Sequence, residues 1–260
     1  MVLQKRTLGQ SGIIISCLGL GTVKFGRNQG VKYPESFALP SDDTISSLLD
    51  QAQSLGINFL DTAPAYGSSE QRLGRLLTRR QDWVICTKVG EEFVTGKSFF
   101  NYSKQHVRDS IERSLRNLKT DYLDLVLMHS DGNDIAIIDS TDCLETLIAL
   151  KEAGLVRAIG MSTKSIEGGI RASDLTDAVM VTYNPNNNEN IEVIEYASKK
   201  NKGVVIKKAL NSGHDCNGDL KRNFDFSLNE DGVTSIVVGT INGDHLASNV
   251  DHAIQVSMKK

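Results

Sequence analysis

Four side chains of complementary chemistry stand at or just beyond the ends of apolar runs. Asp61 and Tyr66 lie in Asp61-Thr62-Ala63-Pro64-Ala65-Tyr66-Gly67, directly behind Ile57-Asn58-Phe59-Leu60, and two later apolar runs end on Lys88 and His129. A carboxylate, a phenol, an ammonium and an imidazole together can move a proton to and from a substrate and stabilise charge as it develops. A free phenol has a pKa of about 10, too high for easy two-way transfer near neutral pH. A lysine beside it favours the phenolate and lowers that value, so Lys88 is the expected tuning partner of Tyr66, with Asp61 holding the lysine charged and aimed. Taken singly, each residue also has a structural reading: Asp61 as a helix cap, Tyr66 as a turn aromatic, Lys88 as a solvated lysine leaving a strand, His129 as a satisfied core histidine. Their joint placement behind successive strands is what sets them apart.

Such placement needs a scaffold that gathers strand ends on one face. Candidate strands run over residues 15–20, 58–60, 83–87, 123–128, 156–161, 178–181, 204–206 and 235–238. Most are continuous apolar runs, as expected when both faces are covered. Helical stripes lie between them. Ile45, Leu48, Leu49 and Ala52 follow Ser41 as N-cap; Leu73, Leu76 and Leu77 follow Ser68 and Gln71, which predict a capping box. Further stripes are Val107, Ile111, Leu115, Leu118; Leu144, Leu147, Ile148; Ile191, Ile194, Ala197; Leu220, Phe224, Leu228; and Leu246, Val250, Ala253, Ile254. The pattern predicts an α/β fold, a (β/α)8 TIM barrel spanning residues 1–260 as a single domain. Arg6-Thr7-Leu8 and Ile13-Ile14-Ile15, flanking Gln10-Ser11-Gly12, predict an N-terminal β-hairpin closing the barrel bottom. Alternation alone also allows an open doubly wound sheet, but Lys24 stands where the third glycine of its nucleotide fingerprint belongs in Gly19-Leu20-Gly21-Thr22-Val23-Lys24.

Composition narrows the partners. The 260 residues carry 29 Lys and Arg against 32 Asp and Glu, a net charge of -3. With no basic excess or stripe, neither nucleic acid nor an acidic membrane surface is an expected partner. Small charged clusters at 119–121, 199–202 and the last two lysines read as solvated helix ends. Cys17, Cys86, Cys143 and Cys216 lack paired spacing, so no metal site and no redox pair is expected, and buried thiols in a reducing compartment are the simple reading. No run approaches the ~20 apolar residues of a membrane span, and Met1-Val2-Leu3-Gln4-Lys5-Arg6 is no signal peptide. A cytoplasmic protein is expected.

The chain resembles the aldo-keto reductases over nearly its whole length, in the manner of a compact bacterial-type member. The matching stretches, in order, are Leu18-Gly19-Leu20-Gly21-Thr22, residues 61–67, Thr87-Lys88, residues 121–129 ending on His129, and Gly154-Leu155-Val156-Arg157-Ala158-Ile159-Gly160-Met161-Ser162. By this resemblance Asp61, Tyr66, Lys88 and His129 are the catalytic tetrad, and the reaction interconverts an aldehyde or ketone and its alcohol. The resemblance implies NADP as the hydride carrier and leaves NAD open. It places Gly21, Thr22, Asp61 and Ser162 near the nicotinamide and its linker. Leu210, Ser212 and Gly213 match the loop over the pyrophosphate, where Lys207 or Lys208 can face a phosphate or point to solvent. Asn249 matches an adenine contact, and Thr240 and Asn242 match the 2'-phosphate region, where the usual strongly basic residues give way to Gly239 and His245.

Three positions depart from the family pattern: Thr163 replaces an asparagine, Met180 a glutamine, and Lys207 the aromatic that stacks on nicotinamide. They motivate one rival, a cofactor-binding regulatory barrel of the same superfamily with little turnover; a separate rival is a Schiff-base barrel enzyme using Lys88 or Lys207 as a nucleophile. The sequence ends at Lys260 without the long C-terminal loop of many relatives, so substrate contacts are expected from residues 24–40, 91–102 and 130–139. Their aromatics (Tyr33, Phe37, Phe93, Phe99, Phe100) serve either substrate or loop packing. The substrate itself, the preferred direction and the oligomeric state stay open.

Overall fold

The computed structural model describes residues 2–214 and 220–258. Met1, residues 215–219 (with Cys216), Lys259 and Lys260 lie outside the described residues. The strands are β1 Lys5–Thr7, β2 Ile14–Ser16, β3 Leu18–Gly21, β4 Phe59–Asp61, β5 Val84–Val89, β6 Glu91–Val94, β7 Lys97–Phe100, β8 Leu123–His129, β9 Val156–Ser162, β10 Ala178–Thr182, β11 Gly203–Lys207 and β12 Ser235–Val238. The helices are α1 Val23–Gly26, α2 Asp42–Ser54, α3 Ser69–Leu76, α4 Lys104–Leu118, α5 Asp134–Ser140, α6 Cys143–Glu152, α7 Ile166–Leu175, α8 Ile191–Lys199, α9 Leu220–Leu228 and α10 Gly243–Ser257.

Eight strands pair in parallel and close in the order β10-β11-β12-β3-β4-β5-β8-β9, the predicted barrel. Helices cover its outside, and the strands are buried almost throughout. Inside, Phe59, Cys86, Leu125, Leu127, Ala158, Met180 and Val205 form a packed plug. The hairpin β1–β2 seals the bottom: Ile13 and Ile15 point in and are fully buried, while Ile14 between them is 55% exposed. Leu8 joins the same plug and meets the start of β11 at Gly203. Each such fully buried aliphatic side chain contributes roughly 1.5–3 kcal/mol, so the hairpin is a structural part of the barrel floor.

Several local expectations need correction. The single strand over 15–20 is two, because Cys17 breaks the run: its N–H donates to Gln4 in the hairpin while Leu18 starts the barrel strand. The Ser68 capping box does not form; Ser68 sits at φ -83, ψ 8, a turned backbone, and makes no side-chain cap. Ser41 caps α2 as expected, accepting from Thr44 N–H. Residues 130–139 contain most of α5, and α7 was hidden by Gly168 and Gly169, which interrupt its apolar stripe. The hairpin β6–β7, directly after β5, has no sequence signal at all; β7 is exposed at every position.

Candidate active site

Strand register delivers the polar set to one mouth. Gly21 pairs with Asp61, Asp61 with Cys86, and Lys88 with Leu127, two residues before His129. His129 pairs with Ser162, and Thr182 with Lys207. Tyr66 ends a short 3-10 turn, Pro64–Tyr66, behind β4. That turn is seated by two glycines: a Cβ on Gly26 would lie 2.4 Å from the Tyr66 carbonyl oxygen, and one on Gly67 only 2.2 Å from the Gly26 oxygen. Gly67 also has φ 62, in the left-handed region. No other residue type fits this interlock.

The four predicted residues come together. Lys88, 1% exposed, donates to Asp61 Oδ1 at 2.6 Å and to the Thr62 carbonyl at 2.8 Å. Its Nζ stands 4.7 Å from the centre of the Tyr66 ring, and the His129 ring meets Tyr66 edge-on at 6.4 Å. Burial opposes the Lys88 charge, but Asp61 and then Tyr66 outweigh it and raise the ammonium above its ordinary value. Lys88 lowers the Tyr66 phenol as expected but is not the largest influence on it. Burial raises the phenol, Lys88 lowers it by less, and Asp61 raises it again, so Tyr66 holds its proton more tightly than free tyrosine. Burial also pushes His129 down.

The proposed dinucleotide residues fall into three groups. Ser162 and Lys207 face the tetrad from the far side of the mouth: Lys207 donates to Ser162 Oγ and to the Thr163 carbonyl, both at 2.8 Å. Lys208 is exposed at φ 57, next to the turn that holds Leu210, Ser212 and Gly213. Among the described residues, no carboxylate forms a salt bridge with Lys32, Lys164, Lys207 or Lys208, so the mouth presents cations suited to an anion. Thr22 is instead tucked beneath the acid loop, its hydroxyl fully buried and donating to the Asp61 carbonyl at 2.9 Å. Asn242 spends its side-chain oxygen capping α10, and the Thr240 hydroxyl serves the same turn. Met180 points into the barrel plug and offers packing alone.

Among the described residues of the proposed dinucleotide region, Thr163 and Asn249 make no side-chain hydrogen bond. The Thr163 hydroxyl oxygen is buried and unpaired, and Asn249, 5% exposed on α10, has no hydrogen-bonded side-chain partner among the described residues. An orphaned buried polar atom such as the Thr163 hydroxyl is costly unless a ligand satisfies it; together with the lysines that have no carboxylate in a salt bridge it fits a dinucleotide. The loop aromatics mainly pack on neighbours: Tyr33 lies edge-on to Phe37 at 5.7 Å, Arg27 covers Phe93 at 3.4 Å, and Phe100 stacks near Tyr102. Sequence reasoning missed Glu91, whose carboxylate lies 2.8 Å from His129 Nδ1. Its only signal was its place right after the lysine strand.

A closed parallel barrel with a buried lysine–carboxylate pair under a tyrosine defines a class by itself. Residues 17–215 match the sequence profile of the Aldo/keto reductase family, and the chain belongs to that family. Among solved structures it is similar to PA4992 of Pseudomonas aeruginosa, assigned to the aldo-keto reductases, with 48% identity, TM-score 0.90 and coverage of 97% of this chain and 95% of that one. The holo form of the aldo-keto reductase AKR11C1 from Bacillus halodurans is 26% identical, with TM-score 0.77, over 96% and 90% of the two chains. D-arabinose 1-dehydrogenase of Saccharomyces cerevisiae is 38% identical over 49% of this chain and 39% of its own length. The oxidoreductase YqkF of Bacillus subtilis, itself uncharacterized, is 34% identical over 62% of this chain and 49% of its own. The chain thus spans about half the length of the first curated relatives it matches. No helix among the described residues is long and apolar enough to cross a membrane.

Proposed function

We propose that residues 1–260 act as one catalytic unit that interconverts small aldehydes or ketones and their alcohols with a nicotinamide dinucleotide, NADP(H) in preference to NAD(H). One observation carries the reading: the Lys88 ammonium, fixed 2.6 Å from Asp61, stands beneath the Tyr66 ring with His129 edge-on beside it. When bound, the dinucleotide supplies or accepts the hydride. Ser162, Thr163 and Asn249 offer it unpaired or exchangeable polar atoms, and Lys208 with the 210–213 turn offers positive charge and backbone amides. Among the described residues the free thiols Cys17, Cys86 and Cys143 are buried, which suits a reducing, cytoplasmic setting.

Tyr66 rests as the phenol, because burial raises it, and so donates its proton to the carbonyl oxygen in the reducing direction. The phenolate left behind is stabilised by Lys88, whose own charge is secured by Asp61. In the oxidising direction the phenolate must form first, so Lys88 governs how readily that happens. His129 orients the oxygen opposite Tyr66.

The test is Tyr66→Phe. Removing the proton donor is expected to cost on the order of 100-fold or more in turnover, while NADPH binding, followed through quenching of Trp83 or cofactor fluorescence, stays near that of the unmodified protein. Full turnover in the variant sinks the role of Tyr66. A second reading is favoured by Lys207, which already occupies Ser162 Oγ and the Thr163 carbonyl: a barrel that binds the dinucleotide with little turnover. Tight NADPH binding without reduction of any of a panel of aldehydes and ketones would replace the first reading with this one.

A further inference from the structure

His129 stands among cations. Lys88 on β5 and Lys207 on β11 both push its ring toward the neutral form, and burial pushes the same way. The other groups facing it are the Tyr66 ring and Tyr102, whose hydroxyl donates to the His129 carbonyl at 2.7 Å. The opposing charge is Glu91. After β5 the chain turns at Gly90, with φ 103 and room for no Cβ against the Tyr102 ring, and β6 begins over the mouth. Glu91 Oε2 comes to 2.8 Å from His129 Nδ1, both side chains being largely buried at 12% and 18% exposure. The oxygen lies off the ring N–H direction, so the contact is an ion pair more than a straight hydrogen bond.

Glu91 is itself held in place. Its other oxygen accepts from Ser98 Oγ at 2.6 Å, across the hairpin, and Arg27 stands 3.7 Å away. One residue on, Glu92 ties the hairpin to α4 through Arg113 and His106. Burial opposes a charge on Glu91, but His129, Ser98 and Arg27 outweigh it and hold the carboxyl down at about 2, so it is ionised throughout the working range. A hairpin with exposed outer strands is therefore pinned at one end to deliver one carboxylate to one imidazole.

We propose that Glu91 is a positioning residue for the carbonyl step: its carboxylate offsets the burial and the lysines around His129 and so increases the share of that ring that is charged, and the imidazolium donates to the carbonyl oxygen alongside Tyr66. Two cation–carboxylate pairs, Lys88–Asp61 and His129–Glu91, then flank the phenol. This inference rests on the carbonyl-redox reading above.

The test is Glu91→Gln, which keeps shape and hydrogen-bonding capacity and removes the charge. Histidine-labelled protein, free of ligands, is titrated by NMR. The His129 resonance is expected to titrate about one unit or more lower in the variant, a tenfold change in the charged fraction. In steady-state reduction, the falling high-pH limb of kcat is expected to move to lower pH by the same amount, with about tenfold lower turnover at neutral pH, KM little changed and activity regained on acidification. Glu91→Asp, which keeps the charge, is expected to leave the limb in place. An unshifted His129 titration, or a loss that is equal at every pH, overturns the role of Glu91 alone. Absence of turnover by the unmodified protein overturns the carbonyl reading and this inference with it.

Discussion

Lys88 near the end of β5 and Lys207 at the end of β11 stand four strands apart, on opposite sides of the same barrel, and meet opposite fates. Both lie at the mouth, and burial opposes the charge on each. Lys88 finds a carboxylate at 2.6 Å and stays charged. Lys207 finds only neutral oxygens, Ser162 Oγ and the Thr163 carbonyl, while Lys208 and Lys88 repel it; together with burial they bring it down to about 7. The difference is set by register. β4 lies beside β5 and ends on Asp61, whereas the neighbours of β11 end on Thr182 and Val238, neither of which is an acid. A lysine at a strand end thus becomes a fixed cation or a titrating group according to what the adjacent strand contributes at its own end.

The most forceful way to break the comparison is to remove Asp61. Asp61→Asn leaves the Lys88 ammonium buried without its counter-charge, and breaking a buried pair costs about 3–5 kcal/mol. Denaturant unfolding is expected to show a loss of that order together with severe loss of turnover. Lys207→Met, by contrast, replaces a buried amine that has only neutral oxygens as partners with a side chain of similar length and is expected to leave the ligand-free protein as stable or more so. Equal destabilisation by the two variants would mean the two lysines are held alike.

Acidity separates them further. Below a pH of about 7 Lys207 is charged in folded and unfolded chains, and the folded state bears the full cost. Between about 7 and the ordinary value of 10.5 the unfolded chain binds the proton that the folded chain has released, so stability rises with pH across that window. Lys207→Met abolishes this rise. Its melting temperature is expected to exceed that of the unmodified protein most clearly near pH 6, with the gap closing toward pH 10. A gap independent of pH would place the lysine in contact with a charge that the structure does not contain.

The Lys88 side of this contrast was legible in the sequence and the Lys207 side largely was not. Asp61, Tyr66, Lys88 and His129 announce themselves because each terminates or follows an apolar run, and a parallel barrel converts such positions into neighbours. Burial around Tyr66, by contrast, depends on packing from α1 and the acid loop, and it outweighs the lowering by Lys88 that the phenol–ammonium pair predicts. Glu91 was invisible because it belongs to a hairpin whose residues, Lys97-Ser98-Phe99-Phe100, show no inward-outward alternation. The Gly26–Gly67 interlock links residues 41 positions apart through backbone contact alone, which no side-chain pattern records. The resemblance places Thr22 and Asn242 near the dinucleotide, and in the structure each hydrogen-bonds the protein's own backbone.

The smallest effect concerns the residue next to Ser162, on the Lys207 side. The Thr163 hydroxyl is buried and unpaired although its backbone is fully engaged, the N–H with Met180 and the carbonyl with Lys207. Leaving a buried hydroxyl unsatisfied costs about 1–3 kcal/mol, so Thr163→Val, which keeps the branched shape, is expected to raise the melting temperature of the ligand-free protein by a few degrees. The same change is expected to weaken NADPH binding by about tenfold, the equivalent of one hydrogen bond of about 1.4 kcal/mol. Opposite signs in the two measurements would mark Thr163 as a group held unsatisfied for a ligand, the counterpart of Lys88, whose partners are all supplied by the protein. A variant less stable without ligand would show that the hydroxyl already has a partner within the protein.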